Sequence, residues 1–71
     1  MINKDILIHI NGEPFVCSAA MKLVDILIYL DFDIKLVTIE YNSKIILQSD
    51  LSTILLKSHD SVEVVTIVGG G

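Results

Sequence analysis

The feature that most limits what this chain can fold into is its closing stretch, Val62-Glu63-Val64-Val65-Thr66-Ile67-Val68, which runs straight into Gly69-Gly70-Gly71. A β-branched run of that length reads as a strand. It is the most continuously apolar strand in the chain, so it belongs in the middle of a sheet, parallel to the first strand. An interior strand needs partners on both edges and a cover over its apolar face, and the remaining residues have to supply both.

They do so with a single change of period. Asp5-Ile6-Leu7-Ile8-His9-Ile10 alternates, with Ile6, Ile8 and Ile10 on one face, and reads as a strand. Asn11-Gly12-Glu13-Pro14 is turn chemistry, because Asn-Gly accepts the positive φ angles of a tight hairpin. Phe15-Val16-Cys17-Ser18 returns as a second strand, with Pro14 tolerated at its start. From Met21 the spacing becomes helical: Leu23, Ile26, Leu27 and Leu30 form the apolar stripe of a helix lying on a sheet. Its start is poorly marked, since Lys22 stands where a Ser or Thr cap is expected. Asp31-Phe32-Asp33-Ile34-Lys35 ends it without Gly or Pro.

Val37-Thr38-Ile39-Glu40-Tyr41 is a third strand, Asn42-Ser43 a two-residue turn, and Lys44-Ile45-Ile46-Leu47 a short fourth strand. The stretch from Ser49 to Leu56 reads as a capped helical turn or short irregular connection, and Asp60-Ser61 turns into the closing strand. The order ββαββ, connection, β implies an α+β fold: a mixed sheet of about five strands curled around one helix. The helix supplies the right-handed crossover that parallel pairing requires. That arrangement is the β-grasp, or ubiquitin-like, architecture, expected over residues 1–68 with residues 69–71 as a flexible glycine tail.

Seventy-one residues make one domain that buries only about 60% of its extended-chain surface on folding. The single Cys17 excludes an intrachain disulfide, and no Cys/His cluster has zinc spacing. The core must come from a hydrophobic content of 52%. This is more than so small a core hides, which points to an exposed patch for a partner protein. A net charge of -4 and the absence of arginine argue against nucleic acid and anionic lipid and favour a basic partner surface. The chain shows no signal peptide or membrane-spanning run.

Three terminal glycines leave a thin backbone that enters channels where side chains clash, and they carry the carboxylate roughly 10 Å beyond the folded body. The plain alternative is a frayed terminus. Against it stands a strand whose last five residues, Val64 to Val68, are uncharged and pass directly into glycine. The other candidate groups have mainly structural accounts. Cys17 reads as a small core residue, and His9 and His59 as solvated or turn residues without a ligand cluster. Asp31 and Asp33 read as a helix-terminal charge run. Val65 and Ile67 are different: with Val62 and Val64 facing the helix, alternation puts Val65 on the opposite face, making this pair the candidate docking patch.

Asp60-Ser61-Val62-Glu63 through Val68-Gly69-Gly70-Gly71 resembles the closing strand and glycine tail of the ThiS-type sulfur carriers of thiamine biosynthesis. Asn11-Gly12-Glu13, Ser49-Asp50-Leu51 and Leu55-Leu56-Lys57 fall where that family places similar residues, so the resemblance covers nearly the whole chain. Ser43 and His59 stand where glycine is common, Leu47-Gln48 where Pro-Arg is frequent, and Leu51 where Trp is frequent. A Gly-Gly end by itself is shared with ubiquitin and the small subunit of molybdopterin synthase.

A free α-carboxylate is anionic and unreactive at neutral pH, and nothing in the chain activates it. The resemblance implies an E1-like adenylating enzyme of the ThiF type that uses ATP to convert Gly71 to an acyl-adenylate. A sulfur donor then leaves a Gly71 thiocarboxylate. Gly69 and Gly70 would form the tail that enters the partner's active site, and a thiazole synthase of the ThiG type would receive the sulfur. On this reading the protein is a carrier with no bound cofactor, not an enzyme. It would be cytoplasmic, or in the plastid stroma if organelle-encoded, as its lysine-only basic set and many isoleucines suggest. The molybdopterin synthase carrier, a ubiquitin-like modifier and a plain binding module remain as alternatives.

Overall fold

The computed structural model describes residues 4–66; Ile67 and Gly69–Gly71, together with the proposed boundary between body and tail, lie outside the described residues. The elements follow in the order β1 (Asp5–Ile10), β2 (Glu13–Ser18), α1 (Leu23–Tyr29), β3 (Val37–Tyr41), β4 (Lys44–Ile46), a 3-10 turn (Gln48–Asp50) and β5 (Ser61–Thr66). They form one five-stranded sheet in the order β2-β1-β5-β3-β4. β5 is central, parallel to β1 and antiparallel to β3, as its apolar character requires. This is the mixed sheet and single helix of the β-grasp.

Both hairpins turn on residues in the left-handed region: Asn11 and Gly12 (φ 52 and 82) join β1 to β2, and Asn42 and Ser43 (φ 50 and 72) join β3 to β4. Two consecutive positive φ angles match the right-handed twist of the flanking strands. β2 begins at Glu13, two residues before Phe15, and takes in Pro14 opposite His9. The reason lies in how β1 shares its bonds. His9 N–H donates to Asp60 O and Leu7 O accepts from His59 N–H, so the odd residues of β1 serve β5. The even residues serve β2, and Pro14 therefore needs no N–H for the ladder.

α1 lays Leu23, Ile26 and Leu27 on the sheet, where they meet Ile8, Ile10, Ile39, Val62 and Val64, with Leu30 partly buried at the edge. Its weak start is repaired from elsewhere in the chain. Leu23 and Val24 N–H donate to Ile54 O and Leu51 O at 2.8 and 3.1 Å, and the Asp25 carboxylate accepts from Lys22 N–H at 2.9 Å. Lys22 carries no acceptor, so the connection after β4 supplies what a Ser or Thr cap would have supplied. Leu51 and Leu56 anchor that connection in the core.

The helix ends on Asp31 with φ 67, Asp31 N–H donating to Ile28 O and Phe32 N–H to Leu27 O. That is a Schellman arrangement with aspartate where glycine is usual, and Phe32 packs back on the core. Asp33 in turn accepts from Lys35 N–H at 3.0 Å. Asp31 thus serves the helix end through its backbone, and Asp33 through its carboxylate.

Candidate functional site

The chemistry expected at the chain end depends on how the last strand is held and what it presents: two features hold it, and a third is the face it shows to solvent. The first is at its root. Asp60 is 6% exposed and has Ser61, the first residue of β5, as its neighbour. Its carboxylate accepts from Tyr41 Oη, from Asn42 Nδ2 at 3.1 Å and from Lys57 N–H at 2.7 Å. Asn42 Oδ1 accepts from Ser61 N–H at 2.8 Å, and Asn42 N–H donates to Ser61 O at 2.8 Å. The β3–β4 turn and the entry to β5 are thereby tied into one knot. Burial pushes the Asp60 carboxyl up, but the Tyr41, Asn42 and Lys57 hydrogen bonds and the Lys57 charge outweigh it and hold Asp60 below its ordinary value. Tyr41 is pushed up to about 12 by burial, by its hydrogen bond to Asp60 and by the Asp60 charge. An ionised carboxylate accepting from a neutral phenol is therefore the state at neutral pH.

The second feature lies where β1 stops. The β1–β5 register ends at Ile10 opposite Val62. One residue on, Asn11 N–H donates to Val62 O at 2.8 Å while Asn11 Oδ1 accepts from Val64 N–H at 2.7 Å.

The third is the outer face of the sheet. Val62 and Val64 point into the core, and Val65 is 56% exposed on the face away from α1. It stands opposite Thr38, with Glu63 opposite Glu40 and Ile45 opposite Glu40 on the far side. Continuing the β3–β4 register by one residue sets Leu47 opposite Thr38. Ile45 and Leu47 are 69% and 68% exposed. Sequence reasoning named Val65 and Ile67 for this patch and missed Ile45 and Leu47. The available signal was the run Ile45-Ile46-Leu47, in which strict alternation buries one residue and exposes two. Glu40 and Glu63, like charges directly opposite, cost stability and set an acidic centre beside the apolar residues.

Val65 is thus the one predicted site residue whose position is described; Ile67, Gly69, Gly70 and Gly71 follow it along the chain outside the described residues. Cys17 is buried in β2, and burial pushes its thiol up, with Asp5 adding to the effect. His9 lies half-buried in β1 between Pro14 and Ser61, and His59 occupies a left-handed turn with φ 72. Among the described residues there is no cluster of three metal-ligating side chains and no helix long and apolar enough to cross a membrane.

Comparison with known proteins agrees with this architecture. A ycf40 protein of Porphyra purpurea is 46% identical over 71 residues, the full length of both chains, and one from Pyropia yezoensis is 44% identical over the same span. A thiazole synthase of Magnetococcus marinus is 34% identical over 64 residues, which are 90% of this chain and 20% of that protein. The crystal structure of the thiamine biosynthesis protein ThiS from Geobacter metallireducens superposes with a TM-score of 0.80 at 23% identity, covering 93% of this chain and all of the other. That match establishes the fold. The ThiS family model matches residues 8–71, from the middle of β1 to the last glycine, and the chain belongs to the ThiS family.

Proposed function

We propose that this protein is the sulfur carrier for the thiazole ring of thiamine, with Gly71 as the carrying residue. The observation that carries this reading beyond the family is the Magnetococcus marinus thiazole synthase. One-fifth of that protein is similar to nearly all of this chain, so a carrier-like segment and a much longer remainder share one polypeptide. Where two activities are joined covalently, their effective concentration is high. A separate chain of the carrier type must reach the same synthase by docking.

The proposed reaction begins on an adenylating partner. A Gly71 carboxylate oxygen attacks the α-phosphorus of ATP, pyrophosphate leaves, and the glycine becomes an acyl-adenylate. A sulfide-level donor then attacks the acyl carbon, the carbon–oxygen bond to AMP breaks, and Gly71 is left as a thiocarboxylate. The carrier's part is presentation. Gly69 and Gly70 thread a channel that admits only bare backbone, while Val65, Ile67, Ile45 and Leu47 dock the outer sheet face. The Glu40–Glu63 pair favours a basic rim on the partner, whose positive charge would relieve their mutual repulsion. We place the protein in the plastid stroma, on the strength of its plastid-genome ycf40 relatives.

Intact mass of the protein purified from its own cells tests the reading. Exchange of one carboxylate oxygen for sulfur, reversed on incubation with thiazole synthase and its other substrates, is the expected result. A carboxylate alone under all growth conditions, or a lysine conjugate, contradicts it.

A further inference from the structure

Where β1 ends, Asn11 makes an unusual pair of bonds. In a parallel ladder, one residue donates its N–H to the carbonyl before its partner and accepts with its own carbonyl from the N–H after it. Asn11 does the first with its backbone, donating to Val62 O at 2.8 Å. It does the second with its side chain, Oδ1 accepting from Val64 N–H at 2.7 Å. The carboxamide takes the place of a main-chain carbonyl and closes one more rung around Glu63. The backbone of Asn11 is thereby released to φ 52 and turns into the hairpin. Asparagine suits both tasks, since it tolerates the left-handed region and carries an acceptor on a short arm.

Among the described residues, this rung is the last support on that side of β5. Even-numbered residues of β5 aim their backbone groups at β1, as the bonds at Asp60, Val62 and Val64 show. Beyond Val64, β1 has already turned away, and the strand is carried from the other side by β3, through Thr38 opposite Val65 and Val37 opposite Thr66. A strand held on one edge only twists and hinges more freely than one held on both.

We infer that Asn11 is a positioning residue for the carrier end, its carboxamide setting the direction in which Val64–Thr66 deliver the chain to the glycines. The functional half of this inference rests on the sulfur-carrier reading above; the structural half does not. Asn11 touches neither the reacting carboxylate nor any substrate. It acts through Val64, by fixing a segment whose error is passed on to Gly71.

Two variants separate the side chain from the backbone. Asn11→Gly removes the acceptor while keeping, and easing, the positive φ. Asn11→Asp keeps an oxygen acceptor at the same reach and also tolerates that conformation. The full-length variants are first compared without partners, by amide hydrogen exchange at Val64 and by residual dipolar couplings of the Val64, Val65 and Thr66 N–H vectors. The expected result for Asn11→Gly is a folded protein whose Val64 amide exchanges at least about tenfold faster. The Val65 and Thr66 vectors should be reoriented or averaged, and Asn11→Asp should restore both readouts. Thiocarboxylate formation is then followed with ATP, the adenylating enzyme and a sulfide-level donor. The expected result is a kcat lowered by roughly tenfold or more in Asn11→Gly, with a smaller rise in KM for the carrier, because Ile45 and Leu47 keep their part of the outer face while the alignment of Val65 and of the chain beyond it is lost.

Parent-like couplings in Asn11→Gly overturn the inference, and so does an Asn11→Asp variant that fails to restore them. Altered couplings with a parent-like kcat overturn its functional half. If the parent itself gains no sulfur, the carrier reading falls, and the exchange and coupling data still decide whether Asn11 sets the strand.

Discussion

Replacing Asp60 with alanine is the perturbation whose consequence the structure specifies most closely. Its carboxylate accepts three hydrogen bonds, from Tyr41, Asn42 and Lys57, and hydrogen bonds to a charged group contribute about 1.5–3 kcal/mol each. The simple sum overshoots, because Asn42 and Lys57 are exposed and their released donors turn to water. Tyr41 is half-buried, and the loosened β3–β4 turn carries a further cost. Together these give an expected loss of about 2–4 kcal/mol, against a total stability of about 0.05–0.15 kcal/mol per residue. Urea denaturation at constant m-value reads the difference.

The pH dependence sharpens the test. Asp60 is held below its ordinary value in the folded state, so its stabilisation is present above the unfolded carboxylate value of about 3.9 and is lost as pH falls through the lower folded value. The gap between parent and Asp60→Ala should therefore be full at neutral pH and shrink in acid. At the other end, Tyr41 is pushed up to about 12. The parent should lose stability as pH rises above about 10, where the unfolded tyrosine ionises first, and Asp60→Ala should lose less there. A neutral-pH loss below about half a kcal/mol, well short of a single charged hydrogen bond, or a gap that does not narrow in acid, refutes the assignment of Asp60 as the anchor of β5.

Leu27 is 0% exposed at the centre of the helix stripe, so Leu27→Ala should cost about 2–5 kcal/mol in urea titration. Ser43 and His59 both hold φ 72. Ser43→Gly and His59→Gly should each stabilise by up to about 1–2 kcal/mol, the cost of the left-handed region to a side-chain-bearing residue, raising the thermal midpoint. Val65→Asp should leave folding nearly unchanged, since Val65 is on the exposed face, and weaken calorimetric binding to the adenylating enzyme. Unchanged affinity with a folded variant removes Val65 from the docking patch.

Much of the fold was legible because its signals were local. Alternation over 5–10 and 37–41, the helical stripe from Leu23 to Leu30 and the two Asn-initiated turns each specify their own geometry, and the structure shows all of them. The helix boundaries were not legible, because their determinants lie elsewhere. The N-terminal donors are satisfied by Leu51 and Ile54, some thirty residues on, and the C-terminus by an aspartate in a conformation glycine usually takes. The knot around Asp60 was invisible for the same reason: the Lys57 N–H bond to Asp60 is local, but Tyr41 and Asn42 meet that carboxylate only when β5 pairs with β3. The exposed apolar residues of the outer sheet face were half legible. Alternation placed Val65 correctly, while Ile45 and Leu47 were hidden in an apolar run that does not announce which residues face out. The side chain of Asn11 read as turn chemistry, and its second role as a ladder acceptor needed the register of a strand fifty residues away.

The central claim is that function resides at Gly71, and shortening or lengthening the chain there tests it most directly. A variant lacking Gly70 and Gly71 keeps all the described residues, so its urea midpoint should match the parent's. Its carboxylate is set back by about 7 Å, and Val68 is drawn toward a channel shaped for bare backbone. A second variant with one alanine added after Gly71 displaces the reacting carbon and adds a methyl group, and misplacement by about 1 Å already costs about a hundredfold in rate. Each is incubated with ATP, the adenylating enzyme and a sulfur donor and weighed intact. Sulfur incorporated by the parent alone is the predicted result; either variant gaining sulfur as fast as the parent contradicts the account.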